Sequence, residues 1–422
     1  MTQHATALAG TPIPPTTRAE ATALDAADPL RGARDAFDLP DGLYLDGNSL
    51  GPLTHAARER VRRCVDEEWG RGLIASWNAA DWVNLPRTIG ARIAPLIGAS
   101  PDDVRVADST SVNLYKVLAA ALALRPDRPV VISQRGNFPT DLYTAEGLIG
   151  LMGGRELRLV DTGEEALAAL GGDTAVLMLT HVDYRDGTLL DMAALTEAAH
   201  AVGALTVWDL AHSTGALPVD LAGCGADFAV GCGYKYLNGG PGAPAHLYVA
   251  PKHQAEARNP LSGWFAHAAP FAFETEFRPA KGADRFLCGT MPVLSAVALD
   301  AALDVWDGID MAAVREKSVA LTELFRARVE ALAPDLALAG PRDPARRGSQ
   351  VSFRWEHAYP LISALIERGV TGDFRAPDIA RFGFTPLYTR FVDAWDAADH
   401  IAEVIATSTW DEPRHRQRKA VT

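Results

Sequence analysis

The stretch GCGYKYLNGGPGAP, residues 231–244, sets Lys235 between two tyrosines with glycines packed on either side. A flexible charged stem gains little from a tight glycine turn, and an enclosed ammonium loses hydration. The chain is sparing with lysine: Lys116, Lys235, Lys252, Lys281, Lys317 and Lys419 are all it has, and arginine carries the other basic charge. Arginine cannot supply a neutral nucleophilic amine. Lysine can, because burial lowers its pKa, so Lys235 is a candidate amine nucleophile. Other polar residues close apolar runs in the same way. ALTVWDLAH ends on Asp209, with His212 three residues later, and TAVLMLTHVDY ends on Thr180 and His181. ADFAVGCGYKY leads to Tyr234 and Lys235, and VADSTSVNLYKVL places Thr110 and Ser111 at a helix start. Hydroxyls and free backbone N–H groups at such a start hold a phosphate.

Taken singly, each group has an ordinary structural reading. Asp209 would be a helix cap or ion-pair partner, His212 a hydrogen-bonded core residue, the DSTS run a plain N-cap and Lys235 a surface residue on a turn. Gly231-Cys232-Gly233 imitates half of a dinucleotide fingerprint, but position 236 is Tyr. GxxxxGK[ST] is absent, so neither NAD nor ATP has its motif. Together the groups supply an amine, a carboxylate and a phosphate cradle on successive elements. Pyridoxal phosphate needs those three: a lysine for its aldehyde, a carboxylate to keep its ring nitrogen protonated, and a helix N-terminus for its phosphate.

The elements that must position these groups alternate. RPVVIS, TAVLMLTHV, ALTVWDLAH and ADFAVGCG read as strands buried on both faces, with SVNLYKVLAAALAL and DMAALTEAAHAVG as helices between them. That alternation predicts an α/β fold with a mainly parallel sheet wrapped by helices. A long helical run after Pro292, then mixed segments, predicts a smaller α+β domain. The expected division is 1–55 as an N-terminal arm and part of the small domain, 56–295 as the large domain, and 296–422 as a spanning helix and the C-terminal small domain. Ligands of open α/β sheets sit beyond the carboxyl ends of the strands, where the polar groups above fall.

Composition narrows the classes. A formal net charge of −13 leaves nucleic acid without a basic face, and the tail RHRQRK reads as a solvated end. Cys64, Cys224, Cys232 and Cys288 are too scattered for a zinc knuckle and read as free buried thiols, so no metal is expected. VLAAALAL, the longest apolar stretch, falls short of the roughly 20 residues that span a bilayer. The N-terminus lacks a basic region followed by an apolar core, so a cytoplasmic protein without membrane contact is expected.

DLAHS followed by GYKYLNGGPG, with Asp209 26 residues before Lys235, resembles the aspartate–lysine pair of fold-type I pyridoxal-phosphate enzymes of the class V aminotransferase superfamily. More narrowly, YLDGNSLGPL, SWNAADWVNLP, STSVNLYKVL, NFPTDLYTAEGL, DLAHSTGALPVDL, LSGWFAH, FLCGTMPVLS and RFGFTPLYTRF resemble the kynureninases, in order from about residue 42 to about residue 397. The resemblance implies hydrolysis of L-kynurenine to anthranilate and L-alanine. It implies that Lys235 carries the cofactor and moves protons, that Asp209 pairs with the ring nitrogen beside Asp141, and that Phe138 stacks on the ring. Thr110, Ser111 and Tyr234 would hold the phosphate, with Thr180 and His212 lining the pocket and Tyr234 also moving a proton. Trp264 and Thr290 match residues that reach the partner's cofactor in a homodimer. Arg381 matches the clamp for the substrate α-carboxylate, Ser49 and Trp77 fall on the substrate side, and Arg375 has no matched role. Gly289-Thr290 follows the bacterial style of the family, which leans toward kynurenine over its 3-hydroxy form. A cysteine desulfurase or selenocysteine lyase of the same fold would need a cysteine in a mobile loop, and none is evident. A non-catalytic relative would be expected to lose Lys235 or Arg381, and both are present.

Overall fold

The computed structural model describes residues 14–418; the start of the N-terminal arm, to residue 13, and Lys419 of the tail lie outside them. The chain divides into two units: Ala56–Asp183 with Leu190–Asp304, and a second made of the chain up to His55, Tyr184–Leu189 and the chain from Val305. The helix Val293–Ala302 therefore belongs to the larger unit, and the long helical run is interrupted before Met311–Leu332 at Gly308, whose φ is +76°. Among the described residues no helix is long and apolar enough to cross a membrane.

The larger unit is built on a seven-stranded sheet in the order Val104–Ala107, Ala245–Val249, Phe228–Gly231, Leu205–Asp209, Thr174–Thr180, Val130–Gln134, Glu156–Val160. Only Ala245–Val249 runs against its neighbours; the other pairings are parallel. Central strands read as unbroken apolar runs because helices cover both faces. The helix Thr110–Ala123 packs Leu114, Val117 and Leu118 in one core with Val207, Phe228, Val230 and Leu247 of the sheet. Fully burying each such side chain is worth about 1.5–3 kcal/mol. In register, Thr180 lies opposite Asp209, and Asp209 opposite Val230, so these polar ends line up along one edge.

The smaller unit has a four-stranded antiparallel sheet in the order Ala337–Leu338, Gln350–Arg354, Ile379–Gly383, Asp373–Arg375. Phe325 of the helix Met311–Leu332 packs against Phe353, Phe382 and Phe384, with ring centroids 5.0–6.1 Å apart. Leu43–Tyr44 pairs in parallel with Val370–Thr371, which fixes the segment carrying Ser49 to this unit. Gly383 is needed there, since a Cβ would stand 2.0 Å from Asn48 Oδ1.

Two composition readings are corrected. Cys64 and Cys232 are buried free thiols, but Cys224 and Cys288, both outside helices and strands, are only half-buried. The tail is not wholly solvated: His415 is 3% exposed, 3.1 Å from Ser363 Oγ and 3.3 Å from a Glu367 carboxylate oxygen.

Candidate active site

After Gly231 the chain turns back on itself. The Gly239 N–H donates to the Gly233 carbonyl at 2.9 Å, and the Asn238 N–H to the Lys235 carbonyl at 3.0 Å. Asn238 takes φ +57°, and a Cβ on Gly233 would lie 2.4 Å from the Pro244 carbonyl oxygen. The turn is as tight as its glycines suggest, and it presents Lys235 half-buried. Lys235 Nζ lies 2.9 Å from Nε2 of the buried His212 and 5.9 Å from the centre of the Tyr234 ring. Burial first, then Cys232 and Asp209, pushes the Tyr234 phenol above its ordinary range, so it stays protonated.

Asp209 ends its strand 5% exposed, and its Oδ1 accepts from the Ala211 N–H at 2.8 Å. Burial raises its pKa, opposed mainly by Lys235. Asp141, 3% exposed in the first turn of the helix Pro139–Met152, is raised further, by burial and then by Asp209, with which it shares a hydrogen bond. Burial holds both carboxyl groups of this pair back from ionisation, Asp141 further than Asp209. Asp141 Oδ2 is buried without a hydrogen-bond partner among the described residues.

Asn137, which the sequence reading passed over, organises this corner. It is buried; its Oδ1 accepts from the Phe138 N–H at 2.7 Å and from the Thr180 hydroxyl, and its Nδ2 donates to Ser133 Oγ at 3.3 Å. Its place between a strand end and the FPTD run was the available signal. Phe138 is 42% exposed at the head of the next helix. Thr110 and Ser111 open the helix Thr110–Ala123, with Ser109 as the N-cap accepting from the Val112 N–H at 3.4 Å. Trp77 and Trp264 meet edge to face at 6.1 Å, with Phe265 and Trp82 in the same aromatic cluster, and Thr290 is exposed.

Arg381 is 1% exposed in the smaller unit, its Nε donating to Asp373 Oδ1 at 2.8 Å and its Nη2 to Ser49 Oγ at 2.8 Å. Nη2 also reaches Asp373 Oδ2, and Nη1 donates to the Tyr184 carbonyl. Arg375, which has no role in the sequence reading, belongs to this cluster: its Nη2 donates to Asp373 and, at 3.3 Å, to Ser49 Oγ. Burial would raise Asp373, but Arg381 and Arg375 hold it below the usual carboxylate range. Burial, then the Asp373 charge, pushes Asp46 up to about 7. Asp46 and Tyr184 fall within runs already singled out but were given no role there, and Asp373 lies in none; the fold joins all three to Arg381.

The donor set in the larger unit fits pyridoxal phosphate. A buried carboxyl pair held back from full ionisation gains from a protonated ring nitrogen, an amine stands beside it, and a capped helix start suits a phosphate.

The profile of the kynureninase C-terminal domain matches residues 314–401. Kynureninase of Burkholderia mallei (strain SAVP1) is 52% identical over 414 residues, 96% of this chain and 100% of its own length. Kynureninase of Pseudomonas fluorescens is 51% identical over 415 residues, with the same coverage of both. Among solved structures, the apo cysteine desulfurase from Thermococcus onnurineus NA1 has a TM-score of 0.75 at 19% identity, covering 89% of this chain and 98% of that one. Cysteine desulfurase CsdA from Escherichia coli gives 0.75 at 18%, covering 90% and 98%. At such low identity the likeness establishes the architecture alone, which is that of fold-type I pyridoxal-phosphate enzymes. Identity over half the positions, sustained along nearly the whole chain, goes further: the chain belongs to the kynureninase family.

Proposed function

We propose that the chain is a pyridoxal-phosphate-dependent hydrolase of tryptophan catabolism, cleaving the Cβ–Cγ bond of L-kynurenine to give anthranilate and L-alanine. The observation that carries this reading is the Lys235 amine, 2.9 Å from His212 and electrostatically coupled to the buried Asp209–Asp141 pair. Pyridoxal phosphate, when bound, supplies an electron sink for charge at the substrate carbons.

The chain's residues divide the remaining work. Asp209 would keep the ring nitrogen protonated, with the buried Asp141 beside it. Thr110 and Ser111 would offer hydroxyls and helix-start N–H groups to the phosphate, joined by the Tyr234 hydroxyl. Phe138 covers the ring face, and Thr180 and His212 line the pocket. Lys235 would hold the cofactor through its aldehyde, and its amine would carry the proton taken from Cα. Arg381, its Nε and Nη2 held by Asp373 and Ser49, would offer its charge and its remaining Nη1 N–H to the α-carboxylate. The Tyr234 phenol, kept protonated by burial, is the group suited to hand on a proton when water has added to the aryl ketone and the carbon–carbon bond parts. Trp77 would border the substrate, and Trp264 and Thr290 would reach the cofactor of a second copy, so that the active unit is a homodimer.

The test is to supply purified holoprotein with L-kynurenine, 3-hydroxykynurenine and cysteine separately. Equimolar anthranilate and L-alanine from kynurenine is the expected result. The hydroxylated compound should be cleaved with a lower kcat/KM, by less than about 10²-fold, because Gly289 and Thr290 offer its hydroxyl little to bind. Sulfide from cysteine with neither kynurenine cleaved would replace this reading with that of a desulfurase.

A further inference from the structure

Lys116 is 0% exposed, although lysine is almost never fully buried without a strong reason. It lies in the helix Thr110–Ala123, and its side chain runs back toward the N-terminus, as helical side chains do. There Nζ donates to a carboxylate oxygen of Asp108, to Asn113 Oδ1 at 3.1 Å and to the Phe286 carbonyl at 2.8 Å. Burial lowers the Lys116 pKa, and Asp108 opposes that shift. Asp108 is the residue between the strand Val104–Ala107 and the N-cap Ser109, and it takes φ +47°, the left-handed region that few side chains adopt freely. Asn113 secures the other side of the same turn, its Nδ2 donating to the Ala107 carbonyl at 2.7 Å. The Asp108 carbonyl accepts from the Ala245 N–H at 2.8 Å.

We propose that Lys116 is a positioning residue for anion binding: by pinning Asp108 in its left-handed turn and tying it to the Phe286 carbonyl, it sets the direction of the N–H groups of Ser109, Thr110 and Ser111 that receive the cofactor's phosphate. The inference rests on the pyridoxal-phosphate reading above. It adds a residue that touches neither phosphate nor substrate, and it makes the Phe286 carbonyl part of the same support. An ammonium confined in this way acts through geometry and a short electrostatic link, so its effect falls on phosphate affinity rather than on the carbonyl chemistry at Lys235.

The test compares two probes on apoprotein, pyridoxal phosphate and pyridoxal, which differ only in the phosphate. Affinities are measured by equilibrium titration, and folding is checked by thermal melting. Lys116→Met is expected to weaken pyridoxal phosphate by about tenfold, the scale of one charged hydrogen bond, while leaving pyridoxal affinity within about twofold. Asp108→Ala, at a half-exposed position, should reproduce the selective loss and serves where Lys116→Met does not fold. Equal weakening of both probes, or no weakening of either, overturns the proposal. Failure of the underlying reading looks different: wild-type apoprotein would then bind pyridoxal phosphate no better than Lys235→Ala does.

Discussion

The two charged clusters of this chain balance their charges in opposite ways. Around Lys235, two buried carboxyl groups share a single nearby lysine, and burial raises both. Around Arg381, two arginines converge on Asp373, which is held below the usual range despite its burial. A carboxylate with built-in cations stays ionised and locks those cations in direction. A carboxyl pair short of positive charge is instead disposed toward a cationic ring nitrogen, which completes its neutralisation. The first arrangement suits a clamp for an anionic substrate group, the second a seat for the cofactor.

The largest expected effect lies in the lysine cluster. Asp209→Asn should retain the cofactor but lower kcat by about 10²–10³-fold, because the amide cannot hold the ring nitrogen protonated. Stopped-flow turnover near the wild-type rate would remove that role and erase the contrast between the clusters. A smaller loss is expected in the other cluster. Arg381→Lys should raise KM for kynurenine by about tenfold with a lesser change in kcat, since a point charge cannot keep both the Asp373 fork and the substrate carboxylate. Unchanged KM would mean that Arg381 is bound up in structure alone.

The smallest effect concerns stability. Asp46 is pushed up to about 7 from an ordinary 3.8, so between those values the folded protein binds more protons than the unfolded chain. Stability should therefore fall as pH rises through that window, as Asp46 is forced to ionise beside Asp373. Asp46→Asn should flatten the decline of Tm from about pH 4 to about pH 7. An unaltered slope would show that Asp46 is not the group responsible.

What the sequence displayed of this arrangement follows from how local each feature is. Asp209, Thr180 and Lys235 close or follow strands with unbroken apolar runs, and parallel register then aligns their ends. The strands Val104–Ala107 and Glu156–Val160 were harder to see, since each carries charge within its few residues, and Ala245–Val249 hides behind a glycine-rich turn. The arginine cluster was only half legible. Arg381 and Ser49 stand in recognisable strings, but their meeting spans 332 positions and depends on the pairing of Leu43–Tyr44 with Val370–Thr371. Asp373 enters only through that packing, and it is what gives Arg375 and Asp46 their place in the cluster. Lys116 looked like any residue of an alanine-rich helix until its burial was known.

The central claim is that one amine, Lys235, carries the cofactor, and the chain's six lysines make this directly measurable. Borohydride reduction of the holoprotein, digestion and mass mapping should find the pyridoxyl phosphate group on Lys235 and on no other lysine. A label on Lys116, Lys252, Lys281, Lys317 or Lys419, or no covalent label at all, would contradict the account.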